Sequence, residues 1–229
     1  MSQKILFIAV LLVMNFPGFG QNNIPTAKTT TASEAASDQA KKVSEWVAAL
    51  NLNDAAKAER VAKVIATHLD AVRDWHNDHP FTLVPEGINP ANGRPLNEMD
   101  RQFITDSTLP KTVHEQLMSG LRKDLTEEQV EIILDKYTVG KVAFTIQGYK
   151  AIVPDLKPEE EVYLLARLKE AREMAVDYKS MKLISMVFEI YKTKCEQFLN
   201  ENGRSWKALY KAYTDQIKAK KAEAAKNPK

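Results

Sequence analysis

Residues 124–191 read DLTEEQVEIILDKYTVGKVAFTIQGYKAIVPDLKPEEEVYLLARLKEAREMAVDYKSMKLISMVFEIY, and the fold follows from how this stretch starts and breaks its helices. Thr126 is placed to accept a hydrogen bond from the backbone N–H of Gln129 while the Gln129 side chain reaches back. That is a T-x-x-Q capping box, with Leu125 positioned to staple onto Val130. Val130, Ile133, Leu134 and Tyr137 then fall on one helical face and leave Glu127, Glu128, Glu131 and Asp135 outside. A second start lies at Asp155–Glu161. Pro158 suits a first helical position, where its missing N–H is no loss, and three glutamates meet the positive end of the helix dipole. Between the two starts, Val142, Phe144 and Ile146 alternate like a strand, but a lone strand has no partner here. The segment therefore reads as an apolar loop pressed onto the core, leading into a short helix near Tyr149–Val153. Beyond it Ile184, Phe188, Tyr191, Cys195 and Phe198 recur at spacings of four and three, a buried helical seam in which Cys195 is a core thiol.

Outward from this stretch the helical pattern continues. A helix from about Glu34 carries Val43, Trp46, Val47 and Leu50; Asn51–Asn53 breaks it, and Val61, Val64, Ile65, Leu69, Val72 and Trp75 stripe the next, to about Asn77. From His79 to Thr108 the prolines Pro80, Pro85, Pro90 and Pro95 deny helix and remove sheet donors, so a long irregular excursion is expected there. It serves either as a wrap across helix ends or as a binding loop. Leu109-Pro110 opens a helix with Val113, Leu117 and Leu121 on its buried side. The Pro158 helix runs to about Asp177, Asn202-Gly203 stops the one after it, and Trp206, Leu209, Tyr210, Tyr213 and Ile217 stripe the last. The expectation is an all-α, single-domain bundle of about six or seven helices with a long Pro-rich loop insertion.

Composition fits that class: of 229 residues 44% are hydrophobic and 27% charged, with only 8 glycines. The N-terminus has its own logic. Lys4, an apolar run from Ile5 to Met14 and Gly18-Phe19-Gly20 read as a signal peptide over residues 1–20, cut near Gly20/Gln21. The run is short of the roughly 20 residues a membrane span needs, so no stable membrane insertion is expected after cleavage. A polar leader over 21–33, a helical domain over 34–217 with its insertion at 79–108, and a basic frayed tail over 218–229 complete the expected organisation. Export follows, to the periplasm or the outside. Cys195 is the one cysteine, so stability must come from packing rather than an internal disulfide. Removing Lys4 from 32 basic residues leaves 31 against 30 acids, which gives no charge argument for nucleic acid.

Two clusters hold chemistry-bearing side chains. Arg73-Asp74-Trp75-His76-Asn77-Asp78-His79 ends a helix beside the Pro-rich excursion. Its His pair is spaced by three and lacks the i, i+4 geometry of a helical zinc site, so Trp75 and His76 read as a polar pocket wall rather than metal ligands. In Lys169–Asp177, Glu170 and Glu173 share a helix face, as do Glu173 and Asp177. A paired-carboxylate site is conceivable there, although acids beside Lys169 and Arg172 more often form a salt-bridged surface. A buried Arg172 or Asp177 organising a helix contact is the preferred reading. There is no Gly-rich phosphate loop, nucleophile elbow or Cys-based zinc pattern, and no cofactor is expected.

The ordered motifs LTEEQVEIILDKYTVG, FTIQGY, PDLKPEEE, LKEAREMAVDYKS and FEIYK, with Asn51–Asp54 and Trp75–Asp78 upstream, resemble a secreted bacterial family known only as domain of unknown function 3826. The resemblance covers about two-thirds of the chain. It implies export, a helical fold and occurrence beside polysaccharide-degrading systems, and no established activity. One departure stands out: a Lys-rich, His-containing segment of the family pattern is here the apolar Ser180-Met181-Lys182-Leu183-Ile184-Ser185. The resemblance adds Tyr137, Lys141, Thr145 and Tyr149 to Trp75, His76, Arg172 and Asp177 as ligand-binding candidates; the same aromatic residues would also serve to pack a loop onto helices. The function it implies is a non-catalytic accessory or binding protein of glycan utilisation, with an oligosaccharide or protein partner. Two alternatives accompany it. One is a glycan-acting hydrolase or lyase using His76 with Glu170, Glu173 or Asp177, which requires these residues to converge on one concave site. The other is a Spy-type periplasmic chaperone, whose L-T-x-x-Q motif Leu125–Gln129 resembles, although the capping box alone accounts for those residues.

Overall fold

The computed structural model describes residues 32–90 and 92–226; the expected signal segment 1–20 and all but the last two residues of the expected leader lie outside them. Among the described residues nine α-helices run in order: α1 Ala32–Ala48, α2 Ala55–Asp78, α3 Glu98–Asp106, α4 Lys111–Asp124, α5 Glu127–Thr138, α6 Lys141–Ile152, α7 Pro158–Ala175, α8 Met181–Glu201 and α9 Trp206–Lys226. The chain is all-α, and no strand occurs among the described residues apart from one isolated bridge, Ile88 to Pro95. No helix among them is long and apolar enough to cross a membrane.

The helix starts follow their local chemistry. The Thr126–Gln129 capping box is present in both directions. Asp54 caps α2 by accepting from the Lys57 N–H, Ser180 caps α8 through Leu183, and Pro158 opens α7 with Glu159, Glu160 and Glu161 behind it. Three stretches differ from expectation. Residues 141–152 form helix rather than loop: Val142, Ile146 and Tyr149 are the buried positions, at i, i+4 and i+7, while Phe144, the middle of the apparent alternation, is 42% exposed. The turn into that helix uses two successive left-handed residues, Val139 (φ 53°) and Gly140 (φ 66°). Only the second is glycine, so Val139 carries the strain of a β-branched residue at positive φ.

Among its described residues the Pro-rich excursion is irregular to Leu96 apart from a 3-10 turn, Phe81–Leu83, but then yields α3, started by an Asn97–Asp100 capping box. Arg101 on α3 folds it back, donating to the Val84 carbonyl at 2.8 Å and covering the Phe81 ring. At the other end, Lys218 to Lys226 continue α9 in place of a fraying tail.

The apolar side chains form two cores. One joins α1, α2, α4 and α5 through Val43, Trp46, Val61, Ile65, Leu117, Leu121 and Ile133, with Val176 entering from beyond α7. The other joins α6, α7 and α8 through Ile146, Leu164, Leu168, Val187, Phe188 and Leu199, with Tyr178, Phe103 and Trp206 against it. Each fully buried Leu or Ile contributes about 1.5–3 kcal/mol relative to exposure. Val176 belongs to the first core and Tyr178 to the second, so the segment after α7 stitches the two, and Asp177 is held between them.

Candidate functional site

Asp177 lies two residues past the last residue of α7, at the negative end of the helix dipole, where a carboxylate is unfavourable unless cations or donors answer it. Two histidines do so. His68 Nε2 on α2 is 3.0 Å from Asp177 Oδ1, and His114 Nδ1 on α4 is 2.9 Å from Asp177 Oδ2. The His114 contact is close but poorly directed, leaving Nδ1 without an aligned hydrogen bond. Its other nitrogen, Nε2, is 3.6 Å from Glu173 Oε1. A carboxylate only accepts, so His68 carries its proton on Nε2 and presents Nδ1 to the Tyr137 hydroxyl, 3.2 Å away. The array is graded in exposure: the His68 side chain is 1% exposed, Asp177 20%, His114 25% and Glu173 47%.

These contacts set the ionisation of the array. The Asp177 carboxylate, 2.9 Å from the His114 ring, raises the His114 pKa above 6.5, against the effect of burial. Burial pushes the Asp177 carboxyl up, but the two imidazoles against it, His114 and His68, outweigh burial and hold it below 3.8. Tyr137 is driven well above its ordinary value, first by burial and then by the Asp177 charge. Tyr178 is also raised, by burial and by Asp106 and Asp177.

Asp177 and His114 open onto a cleft of about 620 Å³ lined also by Asp106, Glu170, Glu173, Tyr178 and Tyr191, with Lys111 and Glu115 at its rim. The cleft is built from the end of α3, the start of α4, the last turns of α7 and the middle of α8. Asp106 is buried and held by His76 Nδ1 at 2.7 Å and by the Gln102 amide at 2.7 Å.

The sequence candidates divide around this cleft. Asp177 lines it, His76 stands behind it through Asp106, and Tyr137 stands behind it through His68. Trp75 is adjacent, stacked on His79 at 3.6 Å and donating to the Thr105 carbonyl. Arg172 is buried on another face of α7, bonded to Asp135 at 2.8 Å and to Glu131, tying α7 to α5. Lys141, Thr145 and Tyr149 sit on α6. There Lys141 lies over the Phe188 ring, and Tyr149 is buried, donating to the Lys192 carbonyl and packed on Trp206. Those three do not line the cleft. The excursion reaches it through Asp106 and Ser107 alone.

His68, His114, Asp106 and Tyr191 were not singled out as site residues by sequence reasoning. A usable signal was present for His68. The buried positions of α2 are Val61, Ile65, His68 and Val72, so a histidine stands where the apolar stripe calls for a hydrocarbon.

The family model described as "Protein of unknown function (DUF3826)" matches residues 36–219, and the chain belongs to that family. No curated protein matches it.

Proposed function

We propose that this member of the DUF3826 family binds a neutral or amino-bearing oligosaccharide in the Asp177 cleft, as an exported accessory of bacterial glycan utilisation. The observation that carries the reading is Asp177 itself: a carboxylate contacted by two histidines, partly open, in a cleft whose charged groups are mostly carboxylates and which also holds the Tyr178 and Tyr191 rings. Carboxylates and imidazoles bond sugar hydroxyls, and the Tyr191 ring offers an apolar face for a pyranose. Asp106, Glu115, Glu170, Glu173 and Asp177 outnumber Lys111 and His114, so uronates and sulfated sugars are disfavoured. Export and the link to glycan use are supported by the N-terminal signal pattern and by the family resemblance.

A specific observation also favours hydrolysis. Glu170, Glu173 and Asp177 line the cleft together with Asp106, which comes from another element and is bonded to His76, so carboxyl groups from two elements share one cleft although His76 itself does not line it. Glycoside hydrolysis requires that arrangement, one carboxyl acting as acid and the other as base or nucleophile.

The test is a thermal-shift and calorimetric titration of the chain from Gln21 onward with neutral glucans, chitooligosaccharides and uronate oligomers, with each mixture analysed for cleavage. Saturable stabilisation by neutral or amino sugars, lost in Asp177→Ala, is expected; ligand at 100 Kd gives about 2.7 kcal/mol. Shortened products would identify a hydrolase. A flat response to every sugar would overturn the reading.

A further inference from the structure

A second concavity lies across α4 from the first, in the groove where α4 packs against α2. Its floor is apolar, from Val64 and Ala71 on α2 and Val113, Leu117 and Gly120 on α4. The helices come close there because Gly120 has no side chain: a Cβ on it would lie 2.8 Å from Val64 Cγ2. One end of the groove is basic. Arg60 is paired with Asp124 at 2.6 Å, whereas Lys63 and Lys123 make no ion pair within 4 Å among the described residues, Lys123 acting on Asp124 only through its charge, so that three cations stand against one carboxylate at this end.

We propose that this groove binds an amphiphile with one linear apolar chain and an anionic head, the chain lying along the α2/α4 floor and the head meeting Lys63 and Lys123. Size and charge select this occupant. From Arg60 to Ala71 the groove follows α2 for about 16 Å at 1.5 Å per residue. The groove holds about 390 Å³, which suits a single extended chain. A cationic or zwitterionic head gains nothing from the two lysines.

Dodecanoate, kept below its micelle concentration, is the probe, titrated into the full chain with calorimetry and with NMR of the histidine rings. His68 lies on the groove wall, so its ring resonances report occupancy directly. Saturable one-to-one binding that shifts the His68 signals is expected. It should weaken at least tenfold in Lys63→Glu/Lys123→Glu and be lost in Thr67→Trp, which fills the groove from an exposed position. Both variants should keep the circular dichroism and melting temperature of the parent. Dodecylamine should not compete. Binding unchanged in Thr67→Trp, equal binding of dodecylamine, or response only to an acidic amphipathic peptide would overturn the proposal.

Discussion

His68 Nε2 lies 3.0 Å from Asp177 Oδ1 across 109 residues of sequence, and this contact ties α2 to the segment that joins the two cores. His68 is enclosed, with both ring nitrogens spoken for, by Tyr137 and Asp177. His68→Ala would open a cavity, leave the Tyr137 hydroxyl without its acceptor and strip Asp177 of one donor. We expect a loss of about 2–4 kcal/mol, read by urea denaturation. His68→Asn, which keeps one donor, should recover part of it. A loss within experimental error for His68→Ala would show the pair to be structurally idle.

The same array fixes a pH dependence. His114 has a folded pKa above its unfolded 6.5, so its contribution is complete below pH 6.5 and is lost as pH rises through the folded value. Asp177 has a folded pKa below its unfolded 3.8, so its contribution is complete above pH 3.8 and is lost as pH falls through the folded value. The stabilisation by this pair is therefore greatest between about pH 4 and 6.5. Urea titrations of the parent and His114→Gln should differ more at pH 5.5 than at pH 9. A constant difference would contradict the coupling.

Glu160 and Arg204 form a second tie, between the first turn of α7 and the link from α8 to α9. The contact is bidentate, at 2.7 and 2.8 Å, and Arg204 also bonds Asp155. Hydrogen bonding to Arg204 is the largest influence holding the Glu160 carboxyl at about 2, against its ordinary 4.5. Its stabilisation is present above pH 4.5 and is lost as pH falls toward about 2. Glu160→Gln should cost about 1–3 kcal/mol at pH 7 and much less at pH 2.5. Proteolysis of α9 should accelerate at pH 7, and an unchanged cleavage rate would mean α9 docks without this tie.

How much of this was legible beforehand depends on the range of the interaction. The caps at Thr126 and Pro158 are local patterns and occur as the sequence implies. Residues 141–152 misled because Val142, Phe144 and Ile146 alternate over a window shorter than two helical turns, where periods of 2 and 3.6 are not yet distinguishable. Burial of Tyr149 and exposure of Phe144 resolve the ambiguity, and both are set by α7, α8 and α9. The Pro-rich excursion hid α3 because its prolines end at Pro95, just before the Asn97 cap. Asp177 stood out as a contact-organising acid, but its partners His68 and His114 come from α2 and α4. No spacing rule links residues brought together only by tertiary packing.

Gly120 offers a test of that packing. Alanine favours helix over glycine by about 1 kcal/mol, so Gly120→Ala would stabilise an isolated helix. In the protein its Cβ would lie 2.8 and 2.9 Å from the two Val64 methyl groups, and a β-branched side chain in a helix has little freedom to turn away. Overpacking of about 1–3 kcal/mol should outweigh the gain, giving net destabilisation. The double variant Gly120→Ala/Val64→Ala should be more stable than the two single losses predict, with a coupling of about 1 kcal/mol or more. Additivity would show that α2 and α4 are not in contact there.

Substitutions in the cleft and on α6 should have separable effects. Tyr191 and Glu173 line the cleft, whereas Lys141 lies over Phe188 and Tyr149 is packed on Trp206. If sugar binds at Asp177, Tyr191→Ala should weaken it about tenfold by removing the ring face, and Glu173→Gln by a smaller factor. Lys141→Ala should leave the affinity unchanged. Tyr149→Phe removes the hydroxyl donated to the Lys192 carbonyl, so it should lower the melting temperature without altering affinity at temperatures where the protein is folded. The opposite pattern, affinity lost with Lys141 and kept without Tyr191, would place the ligand on α6 and leave the Asp177 array as a purely structural tie between the two cores.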